Sequence, residues 1–329
     1  LSSLSFSGSL KFACAEECEK SCEISTQIPP CHFHFSFPLR MSWSDLVDSC
    51  GLNGETKLIF IGGGNMAGAL IKGAVNSNFI KKDDVVISVR SNESATKWIS
   101  DGFINTFTDN NELLKKFPSG VVFICVKPQL FGSMVDQLEE GILVSSPLVV
   151  SIMAGLSTET LAQRLSRSGY SHSMVRLMPS TPCLVGASAT LICYNSLPLN
   201  DRLSLITSLA ACAGTCTILD EKQFHAASAV AACAPAYVFL LIEALADGGV
   251  LAGLPRKDAL NLATQTFQGA AKLVAESGKH PGQLKDEVCS AGGSTIAGVR
   301  VLEKNAVRSA LIEAVKASTE RSEEMSRMK

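Results

Sequence analysis

The chain has 329 residues, of which 46% are hydrophobic and 18% charged, with a formal net charge of −2. That is core material for about two globular domains and excludes a wholly disordered chain. The lack of a basic surplus and an aromatic content of 6% argue against nucleic acid as a partner, because phosphate backbones are bound by clustered Lys and Arg and single strands by stacked rings.

Residues 1–40 are rich in Ser, Cys, Phe and Pro, and Met41 is the first methionine. Their acids (Glu16, Glu17, Glu19, Glu23) speak against a mitochondrial transit peptide, and no secretory signal is read. Cys14, Cys18, Cys22, Cys31, His32 and His34 do not have zinc-finger spacing, so no metal is expected. Residues 1–55 are expected to be a flexible extension. The cysteines beyond them are scattered, some inside apolar runs such as Phe123-Ile-Cys-Val126. There cysteine behaves as a small buried hydrophobe in a reducing compartment, and the cytoplasm is the expected location.

Lys57–Ile61 is a short apolar strand run that leads into Gly62-Gly63-Gly64-Asn65-Met66-Ala67-Gly68 and then a helix. Gly62, Gly64 and Ala67 fit the dinucleotide fingerprint: a tight turn, close backbone approach to a diphosphate, and close packing of helix on strand. The helix N-terminus adds free N–H donors. The next strand, Asp84–Val89, ends in Arg90 and Ser91 where an NAD site usually carries Asp or Glu. A guanidinium and a hydroxyl suit a 2′-phosphate, so NADPH is expected over NADH.

Further buried strands are read at Val121–Val126, Leu148–Ile152 and Met174–Met178, with edge strands at Ala189–Cys193 and Cys216–Leu219. In an open parallel sheet the ligand lies beyond the carboxyl ends of the strands. Val126, Lys127, Pro128, Ala154, Gly155 and the Ser180–Pro182 segment are therefore expected on the cofactor side. The fold class is α/β: a Rossmann-type, mostly parallel sheet over residues 56–220, followed by an all-α domain over 221–329.

In that second domain, helices are expected over Gln223–Leu254, Arg256–Ser277 and Val299–Met325. The uncharged run Ala226–Ile242 is interrupted by Pro235 and ends at Glu243, so it reads as a buried helix rather than a membrane span. So much apolar helical surface calls for a second copy of the chain, hence at least a homodimer. Gly292-Gly293-Ser294-Thr295 runs directly into the last helix. A glycine pair at a helix start makes a second anion site, while Ser294 and Thr295 also suit ordinary helix caps.

The segment Pro281–Glu303 (PGQLKDEVCSAGGSTIAGVRVLE) closely resembles the C-terminal signature of the pyrroline-5-carboxylate reductase family. Gly62–Ala69, Val126-Lys127-Pro128, Ala154-Gly155, Met178–Pro182, Pro235-Ala236-Tyr237 and Ala244–Gly253 agree with it in order and spacing. The resemblance covers about residues 57–327. It implies reduction of 1-pyrroline-5-carboxylate to L-proline by NAD(P)H, the last step of proline biosynthesis. It also implies interleaved dimers, often assembled into decamers, in the cytosol or mitochondria. It assigns Gly292, Gly293, Ser294 and Thr295 to the substrate carboxylate and ring nitrogen, Thr295 and Ser294 being the catalytic candidates, and Glu221 to the substrate site.

The sequence departs from the family pattern in four places: Ala231–Ala234 replaces a Ser/Gly stretch, Ala291 a proline, Glu287 an asparagine and His225 an aspartate. Imine reduction asks little acid–base chemistry of the protein, in keeping with the lack of a nucleophile–base constellation. Two rival readings are a β-hydroxyacid dehydrogenase-like enzyme and a non-catalytic NADPH-binding protein. The former would use a lysine on the domain-linking helix, and no lysine lies between Gln223 and Arg256.

Overall fold

In the computed structural model, which describes residues 41–327, the continuous apolar runs become the strands of one eight-stranded sheet. They are β1 (Leu58–Ile61), β2 (Val85–Ser88), β3 (Thr106–Phe107), β4 (Val121–Ile124), β5 (Val149–Ser151), β6 (Met174–Met178), β7 (Ser188–Tyr194) and β8 (Gly214–Ile218). The order is β3-β2-β1-β4-β5-β6-β7-β8, parallel throughout except where β7 runs antiparallel to β6. Every residue of β1, β2, β4 and β5 is buried, as expected of strands covered on both faces. Phe60 and Phe123, paired across β1 and β4, stack with ring centroids 4.8 Å apart. The chain leaves β1 toward β2 and returns on its other side as β4. The carboxyl ends of β1 and β4 therefore flank a crevice at a topological switch point, where such sheets bind ligands.

The helices are α1 (Trp43–Ser49), α2 (Asn65–Asn76), α3 (Asn92–Ser100), α4 (Asn110–Lys116), α5 (Pro128–Asp136), α6 (Thr158–Leu165) and α7 (Leu203–Ala211) in the sheet domain. On one face Leu70, Ile71, Leu205 and Ile206 pack with Phe60 and Phe123; on the other Leu113, Phe131 and Leu161 pack with Ile59 and Val122. Helix α1 corrects the expected domain boundary, because Trp43, Leu46, Val47 and Cys50 belong to the core rather than to an extension. Trp43 is 4% exposed, donates its indole N–H to the Thr56 carbonyl at 3.2 Å and meets Phe79 edge to face. The amphipathic pattern of Trp43, Leu46 and Val47 spans only seven helical residues, too few to stand out by periodicity. The Cys/His-rich segment before Met41 lies outside the described residues.

The second domain is helical as expected, with different joints. After α8 (Phe224–Ser228), a π-turn over Ala229–Cys233 leads into α9 (Ala234–Leu251). Pro235 has no N–H to give to the carbonyl four residues back, and the wider turn absorbs that misfit. Helix α10 (Arg256–Ser277) ends at Gly278 with φ +65°. The stretch after it contains α11 (Pro281–Val288), capped by His280, and the expected last helix is two, α12 (Ser294–Lys304) and α13 (Val307–Arg327). They part at Ala306, whose φ is +54°, after the Asn305 amide has turned back onto the Val301 carbonyl.

Small residues join α9 to α10: Ala246, Ala259 and Ala263 are buried there. Large ones point outward, with Phe239 58%, Leu240 65%, Leu262 58% and Ile312 61% exposed. The segment Glu221–Leu251 is long and apolar enough to cross a membrane by length and composition, and 11% of its most apolar window is buried within the chain. The buried helix expected at Ala226–Ile242 is thus largely uncovered within one copy.

Candidate active site

The loop after β1 is held between its neighbours. The Gly62 N–H donates to the Ser88 carbonyl at 2.8 Å, and the Cys125 N–H donates to that of Ile61 at 2.8 Å. Gly62 has φ +104°, and a Cβ there would lie 2.8 Å from the Cys125 carbonyl oxygen, so no other residue fits this turn. Gly64 caps α2 without a side chain, and an ideal Cβ on it would meet nothing within 4 Å. The first-turn N–H groups of α2, those of Asn65, Met66 and Ala67, thus have no side-chain cap and face space that a side chain would fill. Ala67 is 1% exposed and lets α2 approach the sheet. These features fit a bound diphosphate.

The other expected cofactor contacts stand at strand ends. Arg90 and Ser91 follow β2 and are exposed. The Ser91 hydroxyl caps α3, accepting from the Ser94 N–H at 3.3 Å, so it has a structural duty there as well. The first carboxylate after Arg90 is Glu93, which Lys97 at 2.8 Å engages and holds below the usual range. Beyond β4, Val126 leads to Lys127, the N-cap of α5, and Pro128 occupies its first turn. Burial pushes the neighbouring Cys125 thiol far up. Beyond β5, Ala154 precedes Gly155 at φ +74°. Beyond β6, buried hydroxyls fix the turn: the Ser180 N–H donates to Ser188 Oγ at 3.0 Å, and the Ala189 N–H to Ser180 Oγ at 3.0 Å.

A cavity of about 420 Å³ opens at the ends of β5 and β6, against α8 and α13; its lining includes Ala154, Gly155, Arg176, Met178, His225 and Ser322. His225 Nδ1 lies 2.8 Å from the Ser322 hydroxyl, and burial together with the Arg176 charge lowers its pKa. Arg176 is 3% exposed, forms an ion pair with Glu221 and lies with its guanidinium carbon 4.0 Å from the Phe224 ring centre. Burial pushes the thiol of Cys193, the cross-strand partner of Arg176, up to about 12.

Glu221, expected at the substrate site, lies beside this cavity rather than among its lining residues, and lines another one with Ser157, Thr158 and Asn195. Its carboxylate accepts from the Thr158 N–H at 3.1 Å and from the Thr158 hydroxyl, besides pairing with Arg176.

The signature loop has the shape of an anion cradle. Gly292 has φ +69°, Gly293 is the N-cap of α12, and Ser294 and Thr295 are exposed in its first turn. Within one chain none of these four residues is among those lining the cavity at β5 and β6. The departure at Glu287 is neutralised locally, since Lys279 binds its carboxylate at 2.9 and 3.0 Å and Gln283 at 3.0 Å. Arg176, Thr158 and Trp98 were not singled out by sequence reasoning. A charge inside the run Met-Val-Arg-Leu-Met was a visible signal, because a buried guanidinium needs an anion.

The dimerisation model described as "Pyrroline-5-carboxylate reductase dimerisation" matches residues 221–325, and one described as "NADP oxidoreductase coenzyme F420-dependent" matches residues 57–155. The pyrroline-5-carboxylate reductase of Pisum sativum is 40% identical over 275 residues, which cover 84% of this chain and 98% of that protein. That of Escherichia coli is 36% identical, covering 83% and 99%. The solved pyrroline carboxylate reductase of Plasmodium falciparum with NADP bound superposes with a TM-score of 0.72 at 34% identity, covering 82% of this chain and 98% of that one. With two relatives above a third identical along nearly their whole length, the chain belongs to the pyrroline-5-carboxylate reductase family.

Proposed function

We propose that this protein reduces 1-pyrroline-5-carboxylate to L-proline, with NADPH as the preferred donor and NADH as an alternative. The observation that carries this reading is a pair of glycine-framed helix starts, at Gly64 on the sheet domain and at Gly293 on the helical domain. One suits a diphosphate and the other a carboxylate. When bound, NADPH supplies the hydride that the imine carbon receives. The chain's own work is to bind and orient. The first turn of α2 holds the diphosphate, Arg90 and Ser91 meet the 2′-phosphate, and Lys127, Pro128, Ala154 and Gly155 border the nicotinamide half. The backbone of Gly292–Thr295 holds the substrate carboxylate, and the Thr295 hydroxyl hydrogen-bonds the ring nitrogen, with Ser294 beside it. Fixed dipoles of this kind need no reorganisation as charge moves off the iminium.

The working unit is a homodimer. The exposed apolar faces of α9, α10 and α13 require a cover, and a second copy supplies one of matching shape. It also brings a signature loop to the cavity that lacks its own. A decamer of five dimers is the larger assembly proposed. Cys193 and Cys216 are buried as small apolar side chains in the sheet, which suits a reducing compartment, and the cytoplasm is the location proposed. Consumption of NADPH followed at 340 nm with 1-pyrroline-5-carboxylate tests the reading. Turnover on β-hydroxy acids instead would favour a β-hydroxyacid dehydrogenase-like enzyme, and NADPH binding without turnover a non-catalytic binder.

A further inference from the structure

The dinucleotide fingerprint requires Gly62 and Gly64 but not the glycine between them. A Cβ on Gly63 would lie 2.4 Å from the indole nitrogen of Trp98 and 2.7 Å from Val89 Cγ1, so the indole occupies the place of a side chain. Its N–H donates to the Gly63 carbonyl oxygen at 3.2 Å. We propose that Trp98 is a positioning residue for the cofactor, aiming the Gly64 N–H at the diphosphate; this rests on the loop binding a dinucleotide.

A trans peptide is planar, and its C=O and N–H point in opposite directions. The Gly63–Gly64 peptide is trans. Holding the Gly63 oxygen toward the indole therefore turns the Gly64 N–H away from it. Glycines on both sides impose little restraint of their own on that peptide, so the restraint has to come from outside the loop. Trp98 is itself fixed: it is 7% exposed and stands edge-on to Phe103, with ring centres 5.1 Å apart. The Lys72 ammonium lies 5.8 Å from its ring.

Trp98→Phe retains a ring against Phe103 and removes the N–H. Loss of one neutral hydrogen bond is expected to raise the KM and Kd for NADPH about three- to tenfold. The KM for pyrroline-5-carboxylate and kcat at saturating NADPH should stay within about twofold, a split that general unfolding would not give. In wild-type protein labelled with ¹⁵N-tryptophan there are two indole signals, since the chain has two Trp. That of Trp98 should shift as NADPH is titrated, while that of Trp43 stays. Wild type that binds NADPH together with a Trp98→Phe variant that binds it equally well, or a Trp98 signal that does not move, overturns the role of Trp98. Wild type that binds no NADPH overturns the dinucleotide reading itself.

Discussion

Replacing Glu221 by Ala removes the anion from a guanidinium that is 3% exposed. It also removes the acceptor for the Thr158 N–H and hydroxyl at the start of α6. Breaking a buried pair from one side costs roughly 3–5 kcal/mol, because the remaining charge stays desolvated. The Phe224 ring faces the guanidinium at 4.0 Å with or without the carboxylate, so it leaves the difference unchanged. Glu221 is 30% exposed, so water can enter the vacated place and lower the cost. A net loss of about 2–3 kcal/mol is expected, or roughly 4–12 °C in Tm for a fold of this size. Glu221→Gln keeps the shape and an acceptor for Thr158, so it should cost about half as much. Scanning calorimetry at fixed protomer concentration measures both, since assembly shifts apparent stability. A Glu221→Ala variant melting within 2 °C of wild type, or a Gln variant as damaged as the Ala one, refutes the ion-pair account. A tenfold rise in KM for pyrroline-5-carboxylate in Glu221→Gln at unchanged Tm would identify Glu221 as a substrate contact.

Thr295→Ala keeps the backbone cradle and removes a hydrogen bond worth roughly 1.5–3 kcal/mol, so kcat/KM should fall about 10- to 100-fold with NADPH affinity unchanged. A lower Tm with intact turnover would make the hydroxyl a helix cap only. Arg90→Asp should weaken NADPH more than NADH, and equal losses in a fluorescence titration would show that Arg90 does not read the 2′-phosphate. His225 has a lowered pKa through burial and the Arg176 charge. The stability it contributes is therefore complete above its unfolded value near 6.5 and is lost as pH falls through the folded one. Tm should drop more steeply from pH 7 to pH 5 in wild type than in His225→Asn, and parallel Tm profiles would deny it that part. Light scattering should report a dimer or larger at low micromolar concentration; a folded, active monomer would contradict the assembly argument.

The sheet was readable because its strands are buried on both faces and so form unbroken apolar runs. Leu58–Ile61 and Val121–Ile124 stand out for that reason. Edge strand β3 has two residues, neither buried, and leaves no such trace. In the helical domain the apolar stripe of α13 continues backward through Leu302 and Ala306, which hides the break. The break is carried by one backbone angle at Ala306, where propensity predicts helix. The glycine cradle was legible because its chemistry is local in sequence. The pairs Arg176–Glu221 and Trp98–Gly63 were not, since they join residues 45 and 35 positions apart, and only the fold sets such distances.

The helical domain links the proposed assembly to the proposed catalysis. Between α9 and α10 the fully buried residues are three alanines, with Ile242 and Val250 partly buried against them, and Gly249 allows Ala259 to approach there. Such packing sets close spacing but buries little area, and burial contributes roughly 25 cal/mol per Å². The larger side chains that could contribute more, among them Phe239 and Leu240, face away from it. These outward faces are the ones the proposed second copy would cover. The signature loop has the same orientation problem, since Gly292–Thr295 is built as a cradle yet does not line the cavity of its own chain. In the proposed homodimer, interleaving of two helical domains would cover the apolar faces and set each loop over the partner's cavity. The Arg176–Glu221 pair stands where that coupling must be held, tying β6 of the sheet domain to the first residue matched by the dimerisation model.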